Sequence, residues 1–169
     1  MAIGSVEVVT HCGLTAEQIA IVCGWAWNDY WAYMLDDSDA DNLNKLTATW
    51  TGIVTQPGNM SYGLSDENGA LCGAVWIERT VSAVGIGHFC FSKAATHIKQ
   101  SERLQFVQQC IGRAFESGLR KISWTFYPAN RAYECLLRRL GAIKEGVLMQ
   151  HALQGGKPTN IVLMASFPC

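Results

Sequence analysis

Apolar residues recur along this chain in two rhythms, one near every third or fourth position and one at every second. The first rhythm marks amphipathic helices and the second half-buried strands. Ile19, Val22, Cys23, Ala26, Tyr30, Tyr33 and Met34 follow an i, i+3, i+4, i+7 series and predict one helix over about 16–34. Thr15 and Gln18 are spaced as a capping box at its start. A second helix is predicted over about 40–52, broken by Gln56-Pro57-Gly58-Asn59. Leu104, Val107, Ile111, Ala114 and Phe115 form a third helical stripe, which Gly118 ends. Strands are predicted at Val6–Val9, Met60–Ser65, Leu71–Thr80, Gly85–Phe91 and Lys121–Tyr127. Ile122, Trp124 and Phe126 alternate with polar neighbours in the last of these. The Asp66-Glu67-Asn68-Gly69 turn joins two of them as a hairpin.

The segment from Tyr127 to Gly146 carries the densest local information. Asn130 is a favoured N-cap, because its side-chain oxygen accepts an orphan backbone N–H. Gly141 tolerates the left-handed conformation that closes a helix. Between them Tyr133, Leu136, Leu137 and Leu140 share one stripe, with Glu134, Arg138 and Arg139 opposite. Strands near 143–153 and 159–167 follow, joined by Gln154-Gly155-Gly156-Lys157-Pro158. The predicted order is β, α, α, β, β, β, α, β, α, β, β.

That order, together with Asn130, the short helix, Leu140-Gly141 and the extended Glu145-Gly146, resembles the GCN5-related N-acetyltransferase (GNAT) superfamily. The resemblance covers essentially the whole chain. It implies an α+β fold in one domain over residues 1–169, a three-layer arrangement with a central mixed, mostly antiparallel sheet flanked by helices. It also implies acetyl-CoA in the V between the Gly85–Phe91 and Lys121–Tyr127 strands, with an amine as acceptor. Phe91 and Asn130 would line the cofactor site, Asn130 against the pantetheine or an ordered water.

Two departures from the family pattern are visible. GNAT enzymes hold the pyrophosphate on a Gln/Arg-x-x-Gly-x-Gly/Ala loop, where glycines admit the backbone and the helix dipole faces the charge. The equivalent stretch from Ser92 to Arg103 contains no glycine. Lys93, His97, Lys99 and Arg103 would have to meet the anion with side chains, and Ser101 is a candidate cap. Many family members also place a tyrosine seven residues after the asparagine, to protonate the departing thiolate; here that position is Leu137. Leu140-Gly141-Ala142-Ile143-Lys144-Glu145-Gly146 is similar to the branch of ribosomal-protein alanine acetyltransferases, which also lacks that tyrosine. Tyr133, one turn earlier, is the candidate substitute. A tyrosine on an apolar stripe is more often core.

A general base is needed to deprotonate an ammonium acceptor. His88 and Glu78 are the candidates, on strands where family bases often sit. A lone histidine in an apolar strand is more often a hydrogen-bonded core residue. Cys90 shares a strand face with His88 but has no recognisable partners for nucleophilic work.

Composition narrows the rest. The net charge is −1, with about half the residues apolar, which suggests neither disorder nor general polyanion binding. Residues 1–69 carry a net −8 and residues 70–169 a net +7, the sign expected if an anionic cofactor sits in the second half. No apolar run approaches the roughly 20 residues that span a bilayer, and the first residues lack secretory features. Seven cysteines without Cys-x-x-Cys spacing indicate no metal site and free thiols in a reducing cytosol. Asp37-Ser38-Asp39-Ala40-Asp41 begins like a calcium loop, but Asn42 and Ala48 replace its glycine and glutamate. The expected location is cytoplasmic.

Three functional readings stand. One is an acyl-CoA-dependent N-acyltransferase. Another is a silent GNAT-fold structural or assembly protein, which resembles short GNAT-like proteins of tailed phages and would be virion-associated. Its protein partners, or its own second copy, would dock on Trp25, Trp27, Trp31, Tyr30 and Tyr33 unless the second helix covers them. The last is a nucleic-acid-associated or base-modifying variant, for which no interleaved aromatic and basic motif is present.

Overall fold

In the computed structural model the described residues are 9–35, 37, 42–80 and 83–168. They form a seven-stranded sheet in the order β1-β2-β3-β4-β5-β7-β6. The strands are β1 Val9–Cys12, β2 Met60–Ser65, β3 Leu71–Arg79, β4 Val84–Phe91, β5 Lys121–Phe126, β6 Ile143–Gln154 and β7 Lys157–Ser166. The helices are α1 Ala16–Asp29, α2 Trp31–Met34, α3 Leu43–Val54, α4 Gln100–Glu116 and α5 Arg131–Arg139. Only β4 and β5 pair in parallel; the other neighbours are antiparallel. The fold is α+β, as the element order predicts. Most of the strand predicted at Val6–Val9 and of the acidic loop at 36–41 lies outside the described residues.

Helices cover both faces of the sheet, and each face has its own apolar cluster. Phe106, Val107, Cys110, Ile111 and Ala114 of α4 and Tyr133, Leu136 and Leu137 of α5 pack with Val75, Ile77, Phe89, Trp124 and Met164. Ile19, Val22, Cys23 and Ala26 of α1 and Leu46 of α3 pack with Ala74, Trp76 and Cys90. Each fully buried aliphatic side chain contributes roughly 1.5–3 kcal/mol of transfer free energy. The α4 stripe is broader than its sequence periodicity implies by two residues, Phe106 and Cys110, with Leu104 and Phe115 as half-buried flanks.

The caps behave as their chemistry requires. Thr15 Oγ1 accepts the Gln18 N–H at 3.2 Å, and Gln18 Oε1 accepts the Thr15 N–H at 3.0 Å. Asn130 Oδ1 accepts the Tyr133 N–H at 3.1 Å, and Gly141 takes φ +78° beyond α5. At α4 the expectation that Ser101 caps is corrected. The helix begins at Gln100, and Glu102 Oε2 accepts the Lys99 N–H at 2.6 Å.

The predicted 16–34 helix is in fact two, because Tyr30 leaves helical geometry with φ −130° and ψ 13°. A tertiary contact outweighs the helical hydrogen bonds there. The Tyr30 hydroxyl donates to the Phe91 carbonyl at 2.9 Å. Lys93 Nζ lies 5.0 Å over the Tyr30 ring and donates to the Asp29 carbonyl at 2.9 Å, satisfying an acceptor at the end of α1.

A two-residue turn, Gly155 at φ +57° and Gly156 at φ +72°, joins β6 to β7, so both strands run closer to the turn than the Gln154–Pro158 loop of the sequence reading. Asp37 closes this turn from outside, accepting the Gly155 and Gly156 N–H groups at 2.8 Å each. Trp25, Trp27 and Trp31 are half-buried against the α1–α3 cluster, Trp27 and Trp31 edge-to-face at 5.0 Å. Trp50 of α3 meets Trp76 of β3 at 5.0 Å. Much of the aromatic surplus is therefore taken up inside the α1–α3 layer, while Tyr33 stays exposed.

Candidate active site

Strands β4 and β5 are in register from Val84↔Lys121 to Gly87↔Trp124, where their pairing ends. Beyond that point β5 continues on β7, through Thr125↔Leu163 and Phe126↔Val162, while β4 continues on β3 to Gly73↔Phe91. The chain thus opens a wedge between two central strands. The close approach below the wedge needs glycine. A Cβ on Gly87 would lie 2.4 and 2.6 Å from two carbons of the Trp124 ring. Trp124 cannot easily retreat, since it is fully buried and its indole N–H donates to Ser166 Oγ at 3.0 Å.

Strand alternation decides what β4 offers to the wedge. Ser92 donates to the Cys72 carbonyl, so the intervening Phe91 and Phe89 turn their peptide groups away from β3. Two tyrosines meet them there. Tyr30 holds the Phe91 carbonyl, and the Phe89 backbone hydrogen-bonds the Tyr133 hydroxyl. The Tyr133 ring also stacks on Phe89 at 3.9 Å and lies 5.3 Å from Phe126.

Two hollows flank this point. One, of about 180 Å³, is lined by Tyr30, Cys90, Phe91, Gln100 and Arg103. The other, of about 230 Å³, is lined by Tyr33, His88, Thr125, Phe126, Tyr127 and Ile161. Met34, Asn130 and Tyr133 belong to both and stand where the hollows meet. Asn130 Nδ2 also donates to the Tyr33 carbonyl at 3.4 Å.

His88 and Glu78 come together on the α1–α3 face of the sheet. Glu78 Oε1 lies 2.8 Å from His88 Nε2, yet out of line with the ring N–H. The two groups are therefore in close contact without an aligned hydrogen bond. The imidazole stacks on Trp76 at 5.0 Å and an interplanar angle of 12°. Cys90 follows on the same face. Burial raises its thiol strongly, keeping it protonated and unreactive. Burial likewise drives the Tyr133 hydroxyl far above the usual tyrosine range and lifts Tyr30 to about 12.

The cationic candidates separate in space. Arg103 Nη2 donates to the Ala95 carbonyl at 2.7 Å and its guanidinium lies 5.4 Å over Phe91, leaving Nε buried with no partner among the described residues. Of the four, Arg103 alone lines either of these two hollows. Lys99 precedes α4, where Glu102 already brings a carboxylate to the helix N-terminus. Lys93 is turned to α1, and His97 Nε2 lies 3.5 Å from Asp66 Oδ2. Leu137 is fully buried beneath α5. The sequence reading missed Tyr30 and Met34 as walls of the wedge. Their apolar periodicity marked them as helix face, and no local signal announced the break that turns Tyr30 toward β4.

No protein-family model matches this chain, and no curated protein sequence does. Solved structures match it closely in fold. A spermidine N-acetyltransferase from Vibrio cholerae, solved with CoA and spermine, aligns at a TM-score of 0.74 and 13% identity over 95% of each chain. A candidate acetyltransferase from Acinetobacter baylyi aligns at 0.76 and 18% identity, over 95% of this chain and 94% of that one. A Chromobacterium violaceum protein, described as a probable acetyltransferase of the GNAT family, aligns at 0.74 and 18% over 97% and 84%. The chain has the GNAT fold.

Proposed function

We propose that this protein is an N-acyltransferase that moves an acetyl group from acetyl-CoA to an amine. The observation that carries the reading is the wedge past Gly87↔Trp124, with an unspent Arg103 donor on one side and the Glu78–His88 pair on the other. Acetyl-CoA, when bound, supplies the thioester carbonyl that the amine attacks. Its arm would occupy the hollow walled by Phe91, Asn130 and Arg103, and its pyrophosphate would rest on the side chains of Arg103 and Lys99. Lys93 and His97 would each have to leave a present partner to join them. The missing glycines and the Glu102 carboxylate weaken the backbone cradle, so side chains carry that end of the site.

His88, held by Glu78 and the Trp76 ring, would take the proton from the acceptor ammonium, freeing its lone pair for C–N bond formation. Tyr133 would give its hydroxyl proton to the sulfur as the C–S bond breaks, and its raised pKa keeps that proton in place at neutral pH. Among the described residues no helix is long and apolar enough to cross a membrane. Polyamines, the acceptors of the Vibrio cholerae structure, are the first amines to try.

A second reading is a silent GNAT-fold assembly protein, of which a phage virion component is one example. It is favoured by the two tyrosines that hold the β4 peptide groups and by the carboxylate at the α4 N-terminus. Calorimetric titration separates the two. Heat and a thermal shift with acetyl-CoA support the enzyme. Neither response at millimolar acetyl-CoA would establish the silent protein instead.

A further inference from the structure

Away from the wedge, three side chains from three separate segments converge. Asp66 comes from the β2–β3 turn, Cys72 from the start of β3 and His97 from the loop before α4. Their ligating atoms all lie within 4.8 Å of one another. Asp66 Oδ2 is 3.5 Å from His97 Nε2, and Cys72 Sγ is 4.0 Å from the same nitrogen. Both neighbours approaching one nitrogen is the informative detail. A thiol–imidazole–carboxylate relay needs its acid and its nucleophile on opposite ring nitrogens. One nitrogen has a single donor or acceptor direction and cannot serve both partners. A common centre between the three atoms can.

We propose that Asp66, Cys72 and His97 form a binding site for a divalent metal ion of the zinc type. Zinc bond lengths near 2.0 Å to nitrogen and oxygen and 2.3 Å to sulfur give tetrahedral edges of about 3.4 Å for N–O and about 3.6 Å for N–S. The two separations to His97 Nε2 exceed those by only a few tenths of an ångström, and with all three atoms within 4.8 Å side-chain rotation can close the remaining Asp66–Cys72 edge. The Asp66 carboxylate is already oriented. Asp66 Oδ1 accepts the Asn68 and Ala70 N–H groups at 2.9 Å each, which leaves Oδ2 turned to the histidine. Cys72 is buried, with its thiol donating to the Ala70 carbonyl at 3.3 Å, while the His97 side chain is 49% exposed. A fourth position is therefore open to water, and a thiolate, an imidazole and a carboxylate are a set that zinc accepts. The ion would staple the glycine-free loop to the β2–β3 hairpin, doing by coordination what the loop backbone does not do by turn geometry.

Cobalt(II) reports such a site directly. The purified full chain, stripped with chelator, should take up one equivalent of cobalt and develop a thiolate-to-metal charge-transfer band in the near ultraviolet, which zinc then removes. Cys72→Ser should abolish the band. His97→Gln alters an exposed side chain and so tests the site even if the cysteine variant does not fold. It should weaken metal affinity by more than about a hundredfold, beyond the loss of a residue that only hydrogen-bonds a ligand. Replacing the exposed Cys12 and Cys135 with serine should leave the band intact. Zinc should raise the melting temperature of the parent chain but not of His97→Gln. Absence of the band, its survival in His97→Gln with affinity within tenfold, or its loss in the Cys12/Cys135 variant would each overturn the assignment.

Discussion

The Tyr30 hydroxyl and the Phe91 carbonyl, 61 residues apart in sequence, share a 2.9 Å hydrogen bond across the mouth of the β4–β5 wedge. This bond breaks the first helix and occupies a backbone acceptor that the wedge would otherwise present to a ligand.

Tyr30→Phe removes the hydroxyl and frees that carbonyl. The variant should lose about 1 kcal/mol of stability, typical of one partly buried hydrogen bond, yet bind acetyl-CoA no more weakly than the parent. The pH dependence distinguishes it further. Burial raises Tyr30 from 10.0 to about 12, so above pH 10 the unfolded chain releases a proton that the native chain retains. Its contribution is fully present below pH 10 and is lost as the pH rises through 12. Buried Cys23, raised from 9.0 to about 11, begins the same decline earlier. Denaturant titrations at stepped pH should show a shallower loss above pH 10 in Tyr30→Phe, with the decline from pH 9 unchanged.

Gly87→Ala places a methyl group against the immobile Trp124 ring. Overpacking of a closed core costs about 1–3 kcal/mol. The urea midpoint should fall accordingly, and Trp124 fluorescence should change in the native state. A midpoint equal to that of the parent would show that β4 and β5 can part without cost.

If His88 is the base, His88→Ala should lower kcat by about 10²–10⁴-fold, the range for a lost general base. Glu78→Gln should cause a smaller fall, and the double variant should be no worse than His88→Ala alone. Equal, additive losses from the two single variants would place Glu78 on the substrate independently of the histidine. Steady-state rates with acetyl-CoA and a polyamine decide this.

Glu102→Gln keeps an acceptor for the Lys99 N–H but removes the charge at the α4 N-terminus. The fold should lose no more than about 0.3–1 kcal/mol of dipole stabilisation. CoA affinity should rise at low salt, and the gain should shrink as ionic strength increases. An unchanged affinity would place the pyrophosphate away from this helix end.

The sequence by itself determined the elements and their order, because the signals involved act within a turn or two of chain. Thr15 with Gln18, Asn130 with the Tyr133 amide, and Gly141 at positive φ all need only near neighbours to do their work. The 3.6 and 2.0 periodicities similarly assign which faces are buried. Asn130 was legible as a cap from its type and spacing alone. What only the tertiary structure decided are relationships between residues far apart in sequence. Tyr30 reads as one more apolar position of a helix until β4 supplies the carbonyl that draws it out. Glu78 and His88 become a pair because the β3–β4 register sets them diagonally beside Trp76. The wedge exists because Trp124 ends the pairing with Gly87 and β5 then follows β7 instead. Asp66, Cys72 and His97 carry no ligand spacing at all, since their meeting depends on a hairpin turn and a loop folding to one end of the sheet. Local signals cannot encode such contacts, because loop closure and packing of the whole chain select among the many partners each residue could meet.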